Sequence, residues 1–131
     1  MTTHRADEAV LPDELASRLD HLGKLERNWD SYGAEPVSPK AISVAKRVLC
    51  RSIAALQQRG AKNVHPFAIA PVSDGGVQIE WRGPAGSVEV EIGPSGTLTA
   101  LVSKGELHTA AGEEHPDVSS EDVATMLLAI V

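Results

Sequence analysis

Between Val77 and Val102 the chain alternates apolar and polar residues in three short segments divided by glycine and proline. Val77, Ile79 and Trp81 enclose Gln78 and Glu80, while Val88, Val90 and Ile92 enclose Glu89 and Glu91. Leu98, Ala100 and Val102 repeat the arrangement around Thr99 and Leu101. A period of two with one apolar side predicts antiparallel strands, one face buried and the other wet. The wet face is then acidic. Phe67–Ala70, ending at Pro71, predicts a strand before them, and Leu107 is expected in a short fifth strand after Lys104-Gly105. Ala110 to Val118 carries no alternation and is expected as a loop.

The flanking regions change period. Leu11, Leu15, Leu19, Leu22 and Trp29 recur at helical spacing, with Asp13 and Glu14 in the first turn, where the helix dipole favours acid. Gly23 is expected to weaken this helix without ending it, and Asn28–Gly33 to close it. A second helix starts at Ser38-Pro39, a cap followed by a residue that needs no amide partner. Its stripe is Ile42, Ala45, Leu49, Ile53 and Leu56, and Gly60 is the expected stop. Ser119 and Ser120 open a last helix that buries Val123, Met126, Leu127 and Ile130. Residues Met1–Val10 are polar and unpatterned, an expected flexible N-terminus, which leaves 11–131 as one domain. The expected fold is α+β: a meander of four or five antiparallel strands, with two N-terminal helices and one C-terminal helix on one face.

Composition narrows the function classes. Apolar residues make up 42% of the 131, but two Trp, one Tyr and one Phe are the only aromatics, so the core is aliphatic. A net charge of −6 argues against direct nucleic-acid binding through phosphates. No apolar run reaches the roughly 20 residues of a membrane helix, and the N-terminus lacks a secretory h-region. The single cysteine, Cys50, fits a reducing cytoplasm and falls beside the second helix's stripe as a small buried hydrophobe.

Candidate chemistry is sparse. Any register that keeps Trp81 with the apolar residues of the next strand sets Glu80 opposite Glu89 or Glu91. Like charges so placed cost up to about 1 kcal/mol, an expense that Arg82, Lys104, a cation or a basic partner could offset. The bland alternative is a solvated face that resists aggregation. An acid–base pair is disfavoured, because such an acid needs an apolar pocket beside it and Glu80 and Trp81 point to opposite faces. The run Asn28–Gly33 imitates the opening of a calcium-binding loop, but the position that should supply a bidentate glutamate is Pro39. Its side chains are instead expected to bond local backbone, with Trp29 in the core and Gly33 at positive φ. Tyr32 is either exposed for recognition or buried with a bonded hydroxyl. His108, Glu113, Glu114 and His115 cluster in the expected loop without a scaffold for metal. No catalytic residue, metal site or cofactor is expected.

The runs Asn28-Trp29-Asp30-Ser31-Tyr32-Gly33-Ala34 and Asp74-Gly75-Gly76-Val77-Gln78-Ile79-Glu80-Trp81 resemble two signatures of small bacterial proteins of unassigned function. The resemblance spans about residues 15 to 100 and implies a bacterial or mobile-element context, where such proteins often serve toxin–antitoxin or defence modules. The expected function is a non-enzymatic protein-binding module, an antitoxin or inhibitor, with Glu80, Glu89, Glu91 and Tyr32 meeting a basic protein surface. Self-association is a further expected mode; nucleic acid and membrane are not expected partners. The alternative is a small hydrolase-like enzyme using the carboxylates, with or without a divalent cation.

Overall fold

The alternating segments become β2 (Val77–Gly83), β3 (Gly86–Ile92) and β4 (Leu98–Lys104), flanked by β1 (Ala68–Pro71) and β5 (Gly112–Pro116). The computed structural model describes residues 11–105 and 112–131. The stretch Met1–Val10, the strand expected at Leu107, and His108 lie outside them. The five strands form one antiparallel sheet in chain order, so each connection is a local reversal. Pro84 and Ala85 alone join β2 to β3, with Gly83 facing Gly86.

The three helices of the described residues all cover the same face. α1 (Asp13–Gly23) lies against β1, α2 (Pro39–Gln58) against β2 and β3, and α3 (Ser120–Leu128) against β3 and β4. Beneath them, Val77, Ile79, Val88, Val90, Ile92 and Ala100 are fully buried, and Trp81 is nearly so. Each large aliphatic side chain removed from water contributes about 1.5–3 kcal/mol. Leu15 and Leu19 of α1, Val48 and Leu49 of α2, and Val123 and Leu127 of α3 close the core from above.

α2 is anchored at both ends. The Ser38 hydroxyl accepts from the amides of Lys40 and Ala41 and donates to the Pro94 carbonyl at 2.7 Å, tying the helix start to the β3–β4 turn. At the other end the amides of Gly60 and Ala61 reach back to the carbonyls of Gln57 and Leu56, a Schellman closure.

Two expectations are corrected. α1 stops at Gly23 rather than running on to Asn28. Glycine has poor helix propensity, and the Lys24 amide turns back to His21 while Leu25 bonds Leu22, tightening the last turn into a stop. Trp29 is therefore not on the helical stripe. Second, the expected loop at Ala110–Val118 contains β5, held by antiparallel pairing of Thr99–Ser103 with Gly112–Pro116. Its residues are mostly exposed, so an edge strand fixed by backbone hydrogen bonds shows no apolar alternation.

Candidate functional site: the outer face of the sheet

Strand register sets the uncovered face residue by residue. One cross-strand row runs Ala70, Gln78, Glu91, Thr99 and Pro116, and the next runs Ala68, Glu80, Glu89, Leu101 and Glu114. A third row carries Arg82, Ser87 and Ser103. Glu80 thus sits directly opposite Glu89.

The conflict is resolved on one side only. Two residues along β2, the Arg82 Nε donates to Glu80 Oε2 at 2.6 Å, and its guanidinium lies 3.6 Å from the Phe67 ring centroid. Glu80 is therefore neutralised within the sheet by an arginine that also stacks on an exposed aromatic. Across the row, Glu89 accepts from the Gln78 amide on the diagonal, a neutral donor that leaves its charge uncompensated.

Glu89, Glu91 and Glu114, with Gln78, Thr99 and Leu101, line a depression of about 220 Å3. No basic group pairs with these three glutamates among the described residues. Leu101 is 37% exposed, the large apolar residue of this patch. The arrangement is a concave surface with negative charge at its rim and an apolar contact in its middle. No group of three or more His, Cys, Asp or Glu among the described residues could hold a metal ion. The pleat divides the acidic cluster of β5: Glu114 faces outward, while Glu113 and His115, 4.0 Å apart, point to the opposite side.

Tyr32 is placed apart from the glutamates. It stands 91% exposed on a loop with three left-handed residues: Asn28 (φ 67°), Ser31 (φ 66°) and Gly33 (φ 84°). The conformation is held from several sides. Asp30 Oδ1 accepts from the amides of Tyr32 and Ala34, Asn28 Oδ1 accepts from Gly33, and the Asn28 amide donates to Ala34 at 2.7 Å. Half-buried Trp29 donates its indole N–H to the Glu35 carbonyl at 2.8 Å, and Arg27 pairs with the Glu35 carboxylate at 2.6 Å. Trp29 is thus a brace for the loop.

The same loop is stitched to the turn before β2. The Glu35 amide donates to Ser73 at 2.9 Å, and the Ser38 amide to Gly75 at 2.8 Å. Asp74 Oδ1 accepts from the Gly76 amide, and a Cβ at Gly76 would collide with the Ile92 carbonyl. The segments around the two runs therefore meet at one end of the sheet, where Asn28, Trp29, Asp30 and Asp74 bond backbone groups. No known protein family, curated protein or solved structure matches the chain.

Sequence reasoning missed Leu101 and Glu114 as parts of the acidic patch. Glu114 could not be found without β5, whereas Leu101 was the one large apolar residue on a polar register position.

Proposed function

We propose that the protein is a non-enzymatic binding module whose outer sheet face docks a basic protein surface, as an antitoxin or inhibitor in a bacterial module would. The observation that carries this reading is the depression where Glu89, Glu91 and Glu114 surround Leu101, with no basic group paired to them among the described residues. A fold stabilised by the covered face gains nothing from unpaired like charges on the other. Such charges orient and accelerate the approach of an opposite surface, and an arginine or lysine can lay its stem on Leu101 while its head reaches the glutamates. Glu80, already occupied by Arg82, contributes at the edge of the patch. Tyr32, on its braced loop, is a rigid aromatic contact at the sheet's end.

The test is association kinetics between the chain and the protein that co-purifies with it from its host. Replacing Glu89 and Glu91 by Gln slows association about tenfold or more and flattens its dependence on salt. Parental rate and salt slope in the double variant would overturn the reading.

A further inference from the structure

On the helical side of the sheet, charge is segregated in the opposite sense. α2 carries Lys40, Lys46, Arg47 and Arg51 and no aspartate or glutamate along its 20 residues, in a chain of net charge −6. Arg47 and Arg51, one helical turn apart, line a cleft of about 640 Å3 between α2, the β3–β4 turn and the approach to α3. Thr97 adds a hydroxyl from the turn, and Val44, Leu98 and Val118 supply apolar wall. The Lys40 stem lies over Gly96 on the same rim.

We propose that this cleft binds a small phosphate ester of nucleotide size, with the phosphate held by Arg47 and Arg51. Arg47 has no ion pair or hydrogen bond among the described residues. Arg51 holds the Glu121 carboxylate at 2.6 Å, an intramolecular oxyanion that marks where a ligand's oxyanion sits. Glu121 is 78% exposed while Arg51 is only 28% exposed, so the carboxylate is the partner that can swing into water when a doubly charged phosphate takes its place. Two forked guanidiniums and a hydroxyl line the cleft, more donors than the two oxygens of one carboxylate use, which suits the additional oxygens of a phosphate.

The volume exceeds what bare phosphate fills and lies within the range of small-molecule sites. The apolar wall takes an organic body, and Asp117, which also lines the cleft, accepts from a ligand hydroxyl or amine. The start of α3 is not the anchor. Its first turn is already closed by the capping box of Ser119 and Asp122, whose backbone and hydroxyl hydrogen bonds hold the Asp122 carboxyl below the usual range. The cleft is on the opposite side of the sheet from the glutamate depression, and this proposal stands independently of the docking reading.

The experiment is an NMR titration of the full chain with adenosine monophosphate, inorganic phosphate, adenosine and succinate, following backbone amides. Adenosine monophosphate is expected to shift Gly96, Thr97 and Ser120, with phosphate acting more weakly at the same amides. Arg47→Ala weakens binding about tenfold or more with a little-changed melting temperature, since Arg47 makes no ion pair or hydrogen bond among the described residues. Glu121→Gln strengthens it several-fold by removing the competing carboxylate, an effect a merely structural arginine cluster would not give. The proposal is overturned if millimolar adenosine monophosphate leaves these amides unmoved, if succinate or adenosine matches it, or if neither variant changes affinity.

Discussion

The two faces of β2 and β3 are built from the same strands at the same register, yet they solve opposite problems. On the covered face, Val77 meets Ile92, Ile79 meets Val90 and Trp81 meets Val88, all removed from water. On the other face Gln78 meets Glu91, Glu80 meets Glu89 and Arg82 meets Ser87, and no helix of the described residues lies over them. The covered pairs are mutually supportive, each adding apolar area to one core. The uncovered pairs include a like-charge contact that is only half resolved. Stability is thus concentrated on one face, leaving the other free to carry charge for a purpose other than folding.

The contrast can be broken by exchanging demands between faces. Trp81→Ala empties the largest side chain under the helices and is expected to cost about 3–5 kcal/mol, read as a collapse of the urea midpoint. A midpoint near that of the parent would show that the core does not depend on this face. The buried Trp81 indole N–H has no hydrogen-bond partner among the described residues, so Trp81→Phe should recover most of the loss. Val90→Thr places one hydroxyl in the same layer and is expected to cost about 1–3 kcal/mol. The exchange of its sequence neighbour, Glu91→Thr, on the wet face should stay within about 0.5 kcal/mol. Equal losses at 90 and 91 would erase the distinction.

Smaller effects sharpen it. Arg82→Ala removes the ion pair to Glu80 and the stack on Phe67, and it leaves Glu80 facing Glu89. A loss of about 0.5–1 kcal/mol is expected, larger at low salt, by thermal denaturation at two ionic strengths. Replacing Glu89 and Glu91 together by Gln should leave stability within about 0.5 kcal/mol of the parent, on the stabilising side. A clear destabilisation would mean that these carboxylates hold the sheet together.

How much of this was legible from residues alone follows the same division. Alternation in Val77–Val102 fixes both faces, because a one-residue slip would bury the glutamates and expose the valines. Ser38-Pro39 and Ser119 announce their helices because capping is local chemistry. β5 was illegible: Gly112–Pro116 is held by backbone pairing at an exposed edge, which imposes no side-chain pattern. The end of α1 was misplaced because Trp29 continues an apolar rhythm past Gly23, though it serves the loop through its indole N–H. Long-range chemistry was hidden for a different reason. The stitching of Glu35 to Ser73, the fork of Arg82 between Glu80 and Phe67, and the cleft joining Arg47 to Thr97 all depend on which elements fold side by side.

The most direct test of the outer face as a docking surface is an NMR titration with a short arginine-rich peptide, repeated at rising salt. Shifts are expected to concentrate on Gln78, Glu89, Glu91, Leu101 and Glu114, to fade as salt rises, and to vanish when Glu89 and Glu91 are replaced by Gln. Asp13 and Glu14 on α1, also acidic and exposed, serve as the internal control and should move little. The account is contradicted if the largest shifts fall on α1 or α3, or if the double substitution leaves the outer-face response unchanged.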